Sequence, residues 1–513
     1  MSIFSKRLKY VACKVWDATN DNFVFPEIGD PDYKMDQLLA RPNTGIAFSG
    51  GGTRSASATL GQLRGLNEVG LLKRARYLSC VSGGSWAAAP FTYLPEAWPD
   101  ETFLGQVIPP ENLTIELLNK TDNNSFAHCI SDSIILDDFI KNALRFAGDE
   151  TYSRAIGDIF LKTFDIDSLE RFFSNNDTSV SRILINNEQM KESDFYTINP
   201  NRPFLIVNSI IMRINNEPPR PARIPFETTP LYSGVKKFHK DAGSGGRAIG
   251  GGYIESFGFD SDEPSDISGE SIAKVRLGAS RHRYTLSDVI GTSGAAPAEV
   301  LDKLNLDWIG FPEFKYWSPV NPVQNSAKEY EFGDGGILEN LGLMPLLMRK
   351  VEKIILFVNT KARLKGPGKG EINDSIPPLF GKTPGFEDNI VFPGDKYETL
   401  VQGLLDARNQ GKTVMLRDKF PVLQNDLYGI EGGWEADILW VYNERVDEWE
   451  EKLPVKIRKS IGHGSLGNFP HYRTFFQNPP AVIDLSQKQV NLLANLSCWS
   501  IVSNSNAFEN MFA

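Results

Sequence analysis

GIAFSGGGTRSASATLGQLRGLNEVGLLKRARYLSCVSGGSW, Gly45 to Trp86, is the stretch on which the fold turns. Thr44 to Phe48 is a short apolar run, Gly50 to Gly52 interrupt it, and Arg54 to Val69 carries Ala, Leu and Gly at near-helical spacing. The pattern then repeats. Arg76 to Val81 reads as a buried strand, Ser82 to Ser85 (SGGS) as a turn, and WAAAPFTYL as the start of a helix. Strand, turn and helix twice in succession predict parallel pairing in a helix-covered sheet.

Both turns have the make-up of reactive sites. CVSGGSW sets Ser82 between strand and helix with Gly83 and Gly84 behind it, as a nucleophile elbow requires; the same residues could simply close a turn. Cys80 stands where a GxSxG pattern has its first glycine. Gly50, Gly51 and Gly52 leave backbone amides uncovered ahead of a helix N-terminus, which suits an oxyanion. A nucleotide-phosphate loop is disfavoured, because the lysine of GxxxxGK[ST] is missing and the order is not GxGxxG. Arg54 suits a phosphate in its planar guanidinium, or it braces the loop. A base is offered by Asp334 in EFGDGGILENLGLMPLL, on a glycine-rich turn between a strand end and a helix, although Asp-Gly is also a common turn pair. His463 in IGHGSLG is the rival base in a Ser, Asp, His order.

The remainder bounds the class. A chain of 513 residues, 41% hydrophobic, can bury a large core. Its net charge of −10 argues against general attraction to nucleic acid, and any membrane contact has to be local. The 4 cysteines are scattered without a CxxC, so no metal site or disulfide framework is expected and a reducing compartment fits best. No secretory signal is read in MSIFSKRLKYVACKVWDA, and no apolar run approaches the ~20 residues of a membrane span. Residues 1–42 read as an N-terminal arm and 43–513 as one catalytic domain. Within it, 95–200 reads as a helical cap of amphipathic helices such as DSIILDDFIKNALRFAG, and 365–397 as a long surface loop.

Taken in order, Gly50-Gly-Gly-Thr-Arg54, Ser82-Gly-Gly-Ser-Trp86 and Asp334-Gly-Gly336 resemble the catalytic domain of cytosolic phospholipases A2 and lysophospholipases, relatives of the patatins. Fainter echoes are IPFETTPLYSGV, GGGYIESFGFDS, LSDVIGTSGAAPA and FPHYRTFF, so the resemblance covers roughly residues 43–360 and a segment near the C-terminus. It implies an α/β fold: a central mixed, largely parallel sheet flanked by helices, with a helical cap or lid insertion. It also implies a serine–aspartate dyad without histidine, in which Ser82 attacks an acyl ester and Asp334 takes its proton. Gly50, Gly51 and Gly52 would form the oxyanion hole, and Arg54 would hold substrate phosphate. No metal or cofactor is expected. The implied partners are a phospholipid or lysophospholipid and a transient membrane or micelle surface, with no nucleic acid. The implied location is cytoplasmic, with peripheral membrane attachment. No calcium-binding module is read ahead of the catalytic region, so calcium-driven docking is not implied. Two rival readings stay open: a Ser-Asp-His esterase using His463, and a catalytically silent lipid-binding protein.

Overall fold

The structure, a computed structural model, describes residues 10–33, 35–131, 151–212, 223–239, 248–264, 267–268, 271–277, 283–295, 312–320, 326–474 and 485–513. The amphipathic stretch 132–148 lies outside the described residues.

The elements that build the site are, in chain order, strand β1 (Thr44–Phe48), helix α1 (Gly52–Glu68), β2 (Tyr77–Val81), α2 (Gly83–Thr92) and β3 (Phe204–Met212). They continue with α3 (Leu286–Ser293), β4 (Lys328–Asp334), β5 (Lys353–Val358), β6 (Trp434–Tyr442) and α4 (Gln487–Val502). The predicted double strand–turn–helix unit is present. At the centre of the sheet the order is β3-β2-β1-β5-β6, and every neighbouring pair is parallel. Antiparallel strands extend this centre on both sides into a 14-stranded mixed sheet.

The strand sequences explain their central position. TGIAF and YLSCV are buried at every residue, because helices or loops cover both faces. Alternation along the backbone then divides their side chains between two cores. Ile46, Phe48, Leu78, Cys80, Ile355 and Phe357 join the core under α1, α2 and α4. Ala47, Tyr77, Ile354, Leu356 and Val358 join the core on the opposite face.

Helices α1 and α4 approach closely through small residues. A Cβ at Gly61 would collide with the Ala494 carbonyl, and one at Gly65 would lie 3.0 Å from the Cys498 carbonyl oxygen. Both contacts step by four residues in the same direction, so the two helices run parallel.

Two segments are more integrated than their sequences suggest. The N-terminal arm contributes a strand, Tyr10–Asp17, which pairs antiparallel with Ile249–Glu255 and Ile272–Arg276. The long loop 365–397 is anchored by Leu379, Phe380, Val391 and Phe392, which are buried. Of these, Phe380 and Phe392 pack on Phe420. Among the described residues of 95–200 short helices predominate, and Phe172–Ser174 and Phe195–Thr197 add a small parallel strand pair. Among the described residues no helix is long and apolar enough to cross a membrane.

Candidate active site

Strand register creates the site. Strand β2 runs parallel along one edge of β3 and ends with Val81 opposite Asn208. Strand β4 runs antiparallel along β3 and ends with Asp334 opposite Ser209. The other edge of β3 is taken by Arg223–Thr228, so β2 and β4 share one edge and their C-terminal ends converge. Ser82, the residue after β2, and Asp334, the last residue of β4, therefore meet although they are far apart in sequence. Gly335 makes the junction possible: a Cβ there would lie 2.7 Å from the Asn208 carbonyl oxygen and 3.0 Å from a Val81 methyl.

Ser82 sits at a sharp elbow with φ 52° and ψ −132°, a region that side-chain-bearing residues rarely occupy. Such a conformation costs on the order of 1–3 kcal/mol and persists only where its surroundings enforce it. Here they do. The Ser82 amide donates to Ser293 Oγ at 2.9 Å, and that hydroxyl donates to the Asn208 carbonyl at 2.7 Å. On the other side, the Ser85 amide and hydroxyl both donate to the Ser82 carbonyl, at 2.8 and 2.6 Å. Cys80 fits the elbow because its thiol points into the core, 3.5 Å from the Ile206 carbonyl.

Asp334 is buried, and burial pushes its carboxyl up to about 7. Two donors limit the rise: the Gly336 amide, 2.7 Å from Oδ1, and the Ser82 hydroxyl. The carboxyl thus titrates close to neutral pH. The loop behind it is held by Glu339, whose two carboxylate oxygens accept from the Leu341 and Leu343 amides at 2.5 and 3.0 Å.

The glycine turn after β1 packs against the serine turn, because Phe48 and Cys80 are paired in register. A Cβ at Gly83 would collide with the Gly52 carbonyl. The three expected oxyanion glycines do not behave alike. The Gly50 amide donates to the Asn340 carbonyl at 3.0 Å, so it is removed from the expected set of oxyanion donors. Gly50 supplies space instead, since a Cβ there would lie 2.7 Å from the Ser82 Cβ and collide with the Asn340 side chain. Among the described residues the amides of Gly51 and Gly52 donate to no protein acceptor.

Arg54 lies beneath this turn rather than in front of it. Its side chain is buried against Gly51 and donates to the Tyr472 carbonyl at 2.7 Å and, through Nε and Nη2, to the Asn359 carbonyl at 3.3 Å each. Burial lowers its pKa to about 10, which leaves it charged at neutral pH. Thr474 closes the bracket, donating to the Gly51 carbonyl at 2.8 Å. The segment that carries Tyr472 and Thr474 is fastened by His471, with Nδ1 3.1 Å from the Thr360 carbonyl and Nε2 2.9 Å from the Glu444 carboxylate. His471 therefore faces Glu444 and not Asp334. His463 is exposed, and among the described residues its ring has no hydrogen-bond or ion-pair partner.

Sequence reasoning did not single out Ser293, Asn208, Asn340, Asn359 or His471 as parts of the site. Three of them lie inside stretches the sequence did bring out: Ser293 in LSDVIGTSGAAPA, His471 in FPHYRTFF and Asn340 in EFGDGGILENLGLMPLL. Among the described residues no cluster of His, Cys, Asp or Glu could hold a metal ion.

No protein-family model matches the chain. Human cytosolic phospholipase A2 zeta is 41% identical over 66 residues, and human cytosolic phospholipase A2 beta 37% identical over 76. The chain resembles the cytosolic phospholipases A2. The zeta match takes in 13% of this chain and 8% of that protein, and the beta match 15% and 9%. Among solved structures, human GIVD cytosolic phospholipase A2 aligns over 94% of this chain and 61% of its own, at 13% identity and a TM-score of 0.48.

Proposed function

We propose that the protein is a serine acyl hydrolase that cleaves fatty-acyl esters of phospholipids or lysophospholipids through a Ser82–Asp334 dyad. The observation that carries this reading is the convergence of β2 and β4, which sets Ser82 beside a buried carboxyl whose pKa lies near 7. The local similarity to cytosolic phospholipases A2 supports the choice of lipid ester over other acyl groups.

In this mechanism Asp334 accepts the Ser82 proton as Oγ attacks the ester carbonyl. The Gly51 and Gly52 amides stabilise the tetrahedral oxyanion, helped by the N-terminus of α1. Collapse breaks the ester bond, the leaving alcohol takes the proton from Asp334, and an acyl-serine remains. Water then attacks the acyl group with Asp334 again as base, which releases fatty acid and restores Ser82. Arg54 acts as the brace that shapes the glycine turn, and its three donor bonds to main-chain carbonyls support that role over phosphate binding. Residues 43–513, with the strand Tyr10–Asp17, form the catalytic unit.

Product analysis with defined phospholipids and lysophospholipids tests the proposal. Ser82→Ala and Asp334→Asn are each expected to lower fatty-acid release by at least about a thousandfold, and His463→Ala to leave it within about twofold. Loss of activity in His463→Ala as deep as in Ser82→Ala would favour a histidine triad.

A further inference from the structure

Two glycines of the site leave room for the same side-chain atom. A Cβ at Gly50 would lie 2.0 Å from Asn340 Oδ1, and one at Gly336 would lie 2.4 Å from it. The added Cβ at Gly50 would also lie 2.7 Å from the Ser82 Cβ, and the one at Gly336 3.0 Å from Asp334 Oδ1. The Asn340 carboxamide therefore stands in the gap that borders both Ser82 and Asp334. Any residue larger than glycine at either position would displace it.

This carboxamide takes no part in holding its own loop. Glu339 does that work by accepting from the Leu341 and Leu343 amides, and Asn389 adds a bond to the Leu338 carbonyl at 2.5 Å. The Gly50 amide is taken by the main-chain carbonyl of Asn340, not by its side chain. Among the described residues the Asn340 side chain has no hydrogen-bond partner. The residue is half-buried, and its amide atoms keep contact with solvent.

The orientation of the amide is also defined. Oδ1 is wedged between the two glycines, and Nδ2 lies farther from both positions than Cγ does. The N–H groups of Asn340 are thus turned out of the wedge, unpaired, beside the nucleophile.

We propose that Asn340 donates to the oxyanion through Nδ2, as a third donor beside the Gly51 and Gly52 amides, in the part expected of Gly50. The assignment rests on the acyl-hydrolase reading above. As Ser82 Oγ bonds to the ester carbon, the carbonyl π pair moves onto oxygen, and that oxygen accepts from Asn340. When the pair returns, the bond to the leaving alcohol breaks and Asn340 keeps its protons. A neutral carboxamide suits this place, because it does not compete with Asp334 for the serine proton. Its dipole is fixed before substrate arrives, which is what makes such a donor effective.

Kinetics on a soluble ester and on its thiono counterpart test the proposal, since sulfur in place of the carbonyl oxygen accepts hydrogen bonds more weakly. Asn340→Ala is expected to lower kcat on the oxygen ester by about a hundredfold or more, with KM changed by less than about threefold. The lost bond is made to the carbonyl oxygen, so the ratio of oxygen-ester to thiono-ester rates is expected to fall by about tenfold relative to wild type. Loosened packing slows both esters alike. An unchanged ratio in a folded variant therefore overturns the proposal, as does a wild-type kcat. Asn340→Leu keeps the branched shape without a donor and carries the same comparison if Asn340→Ala does not fold, as chemical denaturation reveals. Absence of hydrolysis by the wild type would remove the acyl-hydrolase reading and this proposal together, whereas an active wild type with an unchanged ratio removes the proposal alone.

Discussion

Asp334 concentrates the chemistry of the site in one proton. Burial holds its carboxyl near 7, so below that pH the base is protonated and cannot accept from Ser82. Hydrolysis is therefore expected to fall about tenfold per pH unit below 7 and to level off above it. Initial rates on a neutral, monomeric ester between pH 5 and 9 measure this; a flat profile across neutrality would remove Asp334 as the base. Both residues of the proposed dyad were legible in the sequence, because tight turns announce themselves through glycine. Gly83, Gly84 and Gly335 stand where backbone meets backbone and Gly336 where the Asn340 and Asp334 side chains crowd in, and only short local spacing is needed to see them. The role of Gly50 was not legible. Whether an amide is free depends on its acceptor, and the acceptor is the Asn340 carbonyl from a distant loop.

At the scale of elements, the glycine turn owes its shape to a bracket assembled from three chain segments. Arg54 on α1, Asn359 after β5 and the 471–474 segment meet under Gly51, with His471 and Glu444 fastening the last of them. Removing His471 leaves the buried Glu444 carboxylate without its ring partner and loosens the support of Tyr472 and Thr474. His471→Ala is accordingly expected to lower kcat by tenfold or more with KM changed by less than about threefold, and His471→Gln, which keeps one donor, to lose less. Steady-state kinetics on a soluble ester separate these outcomes, and equal losses in the two variants would count against the bracket. The sequence offered two of its pieces, Arg54 as a brace and the FPHYRTFF echo, but nothing that joined them. Its bonds join side chains to carbonyls across hundreds of residues, and such contacts leave no periodic trace. The strand Tyr10–Asp17 differs, because Val11, Cys13 and Val15 alternate as a half-buried strand should; reading it as an arm missed a pattern that was present.

Over the whole molecule, three buried carboxyls, Asp334, Glu255 and Glu339, are each raised to about 7 by burial. Because the folded state holds these protons more tightly than the unfolded chain, their contribution to stability is present at low pH and is lost as pH rises from about 4 through 7. Asp334→Asn removes one such group without removing volume. Its stability relative to wild type is expected to improve between pH 5 and pH 8, by roughly 3 kcal/mol at most, the part of the shift that is titrated in that window. Chemical denaturation at the two pH values measures it, and an unchanged difference would contradict the assignment. The central sheet was foreseeable from its apolar strands, whereas the antiparallel extensions were not, since a strand such as Ile249–Glu255 is buried yet glycine-rich and carries no apolar run. The meeting of β2 and β4 on one edge of β3 also makes the distance between nucleophile and base a digital quantity. Register can change only in steps of about 3.3 Å, and a single step turns each side chain to the opposite face. Gradual evolutionary adjustment of the dyad is closed off, so the rate can be tuned only by altering what surrounds Asp334.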